Sequence, residues 1–294
     1  MKIVLAVDFS PASEVAVSEV AARPWPAGTV VHVLHVVDLF ALTNSVGYFD
    51  TFINKETDEA RALGNTVAER LQSRGLETTT QIIEGYPGTG IVDYARQCDA
   101  DFIFVGSHGH GGVLRLLLGS VAKLVLQHGH CSVEVVRASS RDGGMKILLA
   151  TDGSEYSIAA ARSVVERAWP QGSEFRIVSV VDLIIPAMDP WYAAGEVIER
   201  LRDENTRLSQ EAVKAAQKII VDAGLKATGQ VLMGSPKWRL VDEAKEWGAN
   251  LVVVGSHGRR GLTRLLLGSI SEAVAMHAHC SVEVIRENAL LNKD

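Results

Sequence analysis

Two stretches of the chain carry residue types and spacings suited to anion chemistry. Asp101 to Ser120 reads DFIFVGSHGHGGVLRLLLGS, and Asn250 to Ser269 reads NLVVVGSHGRRGLTRLLLGS. In the first, Gly106 is followed after two residues by Gly109 and after nine more by Gly119-Ser120. Gly255, Gly258 and Gly268-Ser269 repeat that spacing. Residues without a side chain let backbone N–H groups approach a ligand closely. A helix start adds unsatisfied donors and partial positive charge. The expected chemistry is the cradling of a phosphate-like anion, signalled by a pattern far more specific than a lone GxGxxG.

Other residues near these loops invite several readings. Asp8 and Asp152 stand at the ends of apolar runs, where a carboxylate can serve as ligand contact, metal or base candidate, or helix cap. His108 and His257 can donate to a phosphate or pack over the loop. Ser120 and Ser269 suit N-caps, and Ser269-Ile-Ser-Glu272 has capping-box spacing. Lys123 stands where the second copy has Glu272. A cation in a first helical turn is unfavourable unless an anion is near, so the first copy is expected to tolerate more phosphate charge. Arg115 and Arg264 read as solvated. His128-x-His130-Cys131 and His277-x-His279-Cys280 resemble half a zinc site, but histidine also suits a helix C-terminus and cysteine a buried strand. No metal site is expected.

These residues are positioned by a repeated scaffold. Lys2-Ile-Val-Leu-Ala-Val-Asp8 recurs at Lys146 to Asp152, and Cys131-Ser-Val-Glu-Val-Val-Arg137 at Cys280 to Arg286. The offset grows from 144 to 149 residues between Asp38/Asp182 and Gly85/Gly234, in a crossover whose loop length can drift. Residues 1–138 and 145–287 are read as two domains, joined by a linker at 139–144 and followed by a tail at 288–294. Within the first, strands are expected near 2–8, 29–37, 77–84, 101–106 and 132–137, with helices near 12–22, 55–73, 88–98 and 119–128. The second follows the same scheme, with a long charged helix near 193–223. β-branched apolar strands alternating with helices indicate doubly wound α/β domains with parallel sheets. Ligands in such sheets bind where strand order reverses; if strands one and four are neighbours there, Asp8 meets the Gly106 loop, and Asp152 the Gly255 loop likewise.

Composition narrows the classes of function. With 22% charged residues, a net charge of −6 and no long basic run, nucleic acid is an unexpected main partner. The start, MKIVLAVDFS, reaches Asp8 before a signal-peptide core could form. His32, His35 and Asp38 interrupt the apolar stretch 30–42, so no membrane span is expected. Three cysteines make no disulfide framework, which suits the cytoplasm. His32 and His35 are read as strand residues on opposite faces. The apolar segments 39–42 with 48–49, and 183–192, exceed what a solvated loop needs; they suit packing on their own domain, over a ligand, or between chains.

The strand-end aspartates, the glycine spacing and the final-strand sequence resemble the universal stress protein family, in a tandem two-domain form. The resemblance implies five-stranded parallel sheets of order 3-2-1-4-5 flanked by helices, and ATP, with or without Mg²⁺, in each domain. It places the adenosine end at Ala6, Val7, Asp8 and Val36, and the phosphates at Gly106, Ser107, His108, Gly109, His110, Gly111, Gly112, Gly119, Ser120 and Val121. The matching second-half positions are Ala150, Thr151, Asp152 and Val180, then Gly255, Ser256, His257, Gly258, Arg259, Arg260, Gly261, Gly268, Ser269 and Ile270. It also implies that the two halves pair through their last strands, 133–137 against 282–286, as an intramolecular pseudo-dimer, and that chains form homodimers. The function implied is a nucleotide-dependent stress regulator. A slow ATPase or autokinase and a scaffold without nucleotide are the alternatives. There is no Walker loop and no evident pair of acids for two-metal phosphoryl transfer, so no catalytic residue is named.

Overall fold

The computed structural model describes residues 1–38, 49–109, 118–137, 143–182, 195–258 and 267–286. His110, Gly111, Gly112, Arg115, Arg259, Arg260, Gly261, Arg264, the apolar segments after the second strands (apart from Phe49) and most of the linker lie outside them. The side chains of 49–53 and 195–197 also lie outside.

Each half alternates strand and helix. The first contains β1 (Lys2–Ala6), α1 (Pro11–Ala22), β2 (Val30–Asp38), α2 (Phe49–Gln72), β3 (Glu77–Gly85), α3 (Pro87–Gln97), β4 (Phe102–Gly106), α4 (Ser120–His128) and β5 (Ser132–Val136). The second contains β6 (Lys146–Ala150), α5 (Glu155–Val165), β7 (Glu174–Val181), α6 (Gly195–Asp222), β8 (Ala227–Met233), α7 (Pro236–Trp247), β9 (Leu251–Gly255), α8 (Ser269–His277) and β10 (Ser281–Ile285). Helix starts follow local chemistry. Ser10 and Ser154 cap α1 and α5 by accepting from Ser13 N and Ser157 N, and prolines open α1, α3 and α7. The extra length of the second half is not mainly loop, since α6 has 28 residues against 24 in α2.

The strands form one ten-stranded sheet, β3-β2-β1-β4-β5-β10-β9-β6-β7-β8. Each half therefore has the order 3-2-1-4-5 with parallel pairing, and the seam between halves is antiparallel. There Val133 pairs with Val284, Glu134 with Glu283 and Val135 with Val282. Two apolar layers cover the faces. One packs β-strand residues such as Val4, Ile103 and Val252 against α3, α4, α7 and α8. The other buries Leu5, Phe104 and Ile177 beneath α1, α2, α5 and α6.

The halves also hold each other's final helices. Arg286, just past β10, donates through Nη2 to Leu126 O (2.7 Å) and Gln127 O (3.2 Å) at the C-terminus of α4. Arg137, just past β5, donates to Ala275 O (2.5 Å) and Cys280 O (3.4 Å), reaching α8 and the residue just before β10. Carbonyls left over at a helix C-terminus are thereby satisfied by a cation.

Candidate functional site

The strand order reverses between β1 and β4 in the first half and between β6 and β9 in the second, and in the first half a crevice opens at the C-terminal ends of these strands. In the first half, Asp8 follows β1 and its Oδ1 accepts from Ser10 N (3.0 Å) and Ser10 Oγ. Ser10 Oγ also contacts His108 O (3.2 Å), linking the end of β1 to the glycine loop. Asp152 repeats the turn, accepting from Ser154 N at 3.0 Å. A Cβ placed on Gly109 would lie 3.2 Å from Asp8 Oδ2, and one on Gly258 would lie 2.8 Å from Asp152 Oδ2. The aspartate and the loop do meet, as the alternating pattern implied.

The glycines mostly serve the protein's own packing. A Cβ on Gly106 would fall 2.7 Å from the Ala12 backbone, and on Gly255 2.8 Å from that of Tyr156. Both clashes are with the first turn of the helix after strand one. Gly119 and Gly268 press on Ser107 O and Ser256 O, to which their own N–H groups donate at 2.8 Å. That bond fixes how the chain enters α4 and α8. It also makes Gly119 and Gly268 the N-caps, displacing Ser120 and Ser269 to the first helical position. Among the described residues no side chain caps either helix, so the capping-box spacing of Ser269 and Glu272 is not used as one. Glu272 Oε1 instead accepts from Gln127 Nε2 (2.9 Å), across the seam.

What remains beside each glycine loop is a set of donors without partners among the described residues. Among the described residues no side chain caps the first-turn N–H groups of α4 and α8, and Ser120 and Ser269 are exposed there. His108 Nδ1 is 2.9 Å from Ser107 Oγ, and His257 Nδ1 is 3.0 Å from Ser256 Oγ. The Nε2 atom of each ring is buried and has no partner among the described residues. His257 is only 8% exposed. If the serine donates to Nδ1, Nε2 carries a hydrogen with nothing to receive it, an arrangement that an anion would satisfy.

The first crevice encloses about 920 Å³. Ala6, Val7, Asp8, Val36, Gly106, His108, Gly109, Gly119, Ser120 and Val121 all line it, whereas Ser107 does not; it lies beneath the loop, tied to Val136 O. Sequence reasoning missed Phe9, His35, Glu56 and Glu59 in the same wall. His35 Nδ1 is bonded to Val7 O at 2.9 Å, and Phe9 meets its ring edge-on. Since a carbonyl only accepts, Nδ1 carries the hydrogen. Burial holds this imidazole below its usual range, against the Val7 carbonyl, Asp8 and Glu56, so it is biased toward neutrality.

In the second half Ala150, Thr151, Asp152 and Val180 occupy the matching strand ends, with Thr151 N bonded to Val178 O at 2.9 Å. Gly255, Ser256, His257, Gly258, Gly268, Ser269 and Ile270 frame the loop and the start of α8. Gly153 and Ser179 replace Phe9 and His35, and Tyr156 lies against His257 with ring centroids 4.9 Å apart. Among the described residues no group of three or more His, Cys, Asp or Glu is placed to hold a metal, and no helix is long and apolar enough to cross a membrane. His128 and His277 end α4 and α8, while Cys131 and Cys280 are buried as the next strands begin.

Comparison with known proteins places this geometry among relatives. The family model described as "Universal stress protein family" matches residues 1–137 and 145–286. A universal stress protein of Mycolicibacterium smegmatis is 29% identical over 299 residues, covering 97% of this chain and 96% of the relative. One from Mycobacterium tuberculosis is 29% identical over 303 residues, covering 97% of each. A universal stress protein of Methanocaldococcus jannaschii is 36% identical over 146 residues, 48% of this chain and 82% of the relative. Among solved structures, a universal stress protein from Archaeoglobus fulgidus superposes with a TM-score of 0.66 at 19% identity, covering 97% of this chain and 98% of that one. That last likeness speaks to the fold alone.

Proposed function

Because the chain belongs to the universal stress protein family, we propose that it binds ATP in the crevice of each half and acts as a nucleotide-dependent regulatory module in a cytoplasmic stress response. The phosphates lie on Gly109, Gly119, Ser120 and Val121 in the first half, and on Gly258, Gly268, Ser269 and Ile270 in the second. The adenosine ends lie against Ala6, Val7, Asp8 and Val36, and against Ala150, Thr151, Asp152 and Val180. Asp8 and Asp152 act as acceptors for the nucleoside, using the Oδ2 atoms that face the loops. The family resemblance supplies the identity of the nucleotide. The observation that carries the reading is the buried His108 and His257 Nε2 atoms, without partners among the described residues, beside two helix starts that no described side chain caps. Buried polar atoms are rarely left unpaired without a reason.

The test begins with protein purified without added nucleotide, denatured, and its released small molecules identified by mass spectrometry. Adenine nucleotide released in stoichiometric amount supports the reading. If none is released and none binds at millimolar concentration, the scaffold alternative takes its place. Incubation with labelled ATP and Mg²⁺ then separates a binding module from an ATPase or autokinase. Intact ATP and unlabelled protein are the expected outcome.

A further inference from the structure

The seam seals five ionisable side chains away from solvent. Glu134 of β5 and Glu283 of β10 face each other in register, both 0% exposed. Arg23, just past α1, forks onto Glu134 at 2.7 and 2.5 Å, and Arg167, just past α5, forks onto Glu283 at 2.8 and 2.6 Å. Arg23 also donates through Nε to Glu19 of α1 (2.7 Å) and lies 3.9 Å from Glu283. The neighbouring surfaces are aromatic. Phe104 and Trp169 lie 5.6 and 5.9 Å from the Arg23 guanidinium, and Phe102 and Trp169 4.9 and 5.2 Å from that of Arg167.

With ordinary charges the cluster would hold three carboxylates against two guanidinium groups. The surplus comes from the first half, where Glu19 stands at the position occupied by Ser163 in the second. An uncompensated buried charge is expensive, and a group in that position usually takes up or sheds a proton instead. We propose that the seam between the halves retains one bound proton, shared by the facing carboxyls of Glu134 and Glu283, and that its release to solvent in alkaline solution loosens the pairing of the halves.

The electrostatics agree. Burial pushes the Glu134 carboxyl well above the usual range, outweighing Arg23, while Glu283 and Glu19 add to the rise. Burial would raise Glu283 too, but Arg167, Arg23 and a hydrogen bond from Glu134 bring it below its ordinary value. A carboxyl raised in the folded chain and ordinary in the unfolded chain stabilises fully below the ordinary carboxylate range. That contribution is lost as pH rises through the raised value. This inference does not depend on nucleotide.

Two measurements on the full chain test it. The infrared carbonyl band of a protonated carboxylic acid should persist at about pH 7, where exposed carboxylates are ionised, and should vanish on going to Glu134→Gln or Glu19→Gln. In urea titrations, the wild-type unfolding constant should rise relative to that of Glu19→Gln by about tenfold per pH unit until the proton is lost. Glu19→Gln keeps an oxygen for Arg23 Nε, so it remains informative if Glu134→Gln does not fold. No protonated-acid band in the wild type at neutral pH, a band that survives in the variants, or parallel pH profiles for wild type and Glu19→Gln would overturn the proposal.

Discussion

The two halves repeat one frame of strands and helices and diverge in side chains around the crevice and the helix starts. Asp8 and Asp152 make the same turn, Gly119 and Gly268 the same cap, and His108 and His257 the same orphaned ring nitrogen. Around that frame, Phe9, His35 and Lys123 of the first half become Gly153, Ser179 and Glu272 in the second. The positions that repeat are those where the chain touches its own backbone. Phe9 and Lys123 differ where the side chain is exposed, whereas His35 differs although it is buried and bonded to Val7 O. Duplication has thus kept the cradle while the surrounding chemistry was free to change.

The largest expected effect tests the asymmetry at the seam. Arg167→Leu strands the Glu283 carboxylate and should cost about 3 to 5 kcal/mol, the usual penalty for breaking a buried pair. Arg23→Leu strands both Glu134 and Glu19 and should cost more, as read from urea midpoints. Equal losses would remove the distinction between the two arms. Next come Gly106→Ala and Gly255→Ala, whose added Cβ atoms meet backbone at 2.7 and 2.8 Å. Each should lose roughly 1 to 3 kcal/mol by overpacking, and the two losses should match. A large mismatch would show that the frames are not equivalent.

Acid should then separate the halves. Burial lowers His32, His35 and His130 in the first half and His279 in the second. A histidine depressed on folding contributes stability above its unfolded value, about 6.5, and that contribution is lost as pH falls through the folded value. Hydrogen exchange below about pH 6.5 should therefore show protection falling sooner in the first half. Matching profiles would contradict this.

Much of the frame was legible because it follows from local periodicity and topology. Strand–helix alternation and right-handed crossovers leave few topologies, and with β1 beside β4 they bring Asp8 to Gly109. The role of Gly106 was not legible, because its need for a bare Cα arises from Ala12, distant in sequence. Propensity favoured Ser120 as a cap, yet the tie from Gly119 N to Ser107 O outweighs it, a tertiary bond overriding a local preference. Glu56 and Glu59 reach the crevice from a helix whose placement no local signal fixes. Glu134 gave no sign of its partner either, since an arginine just past α1 and a glutamate in the last strand meet only once the sheet is built.

The smallest effect concerns the charge at the helix starts. Lys123→Glu should lower, and Glu272→Lys raise, the preference of the corresponding site for ATP over adenosine. A first-turn charge is worth about 0.3 to 1 kcal/mol, roughly a two- to fivefold change in the ratio of affinities. Competition titrations would read it, and no change at either site would mean that these side chains do not sense the phosphates.

Calorimetric stoichiometry of ATP binding bears most directly on the cradle itself. Wild type should bind two equivalents, Gly109→Val and Gly258→Val one each, and the double variant none. A wild type that binds no ATP at millimolar concentration, or glycine variants that bind as it does, would contradict the assignment of the nucleotide to these loops.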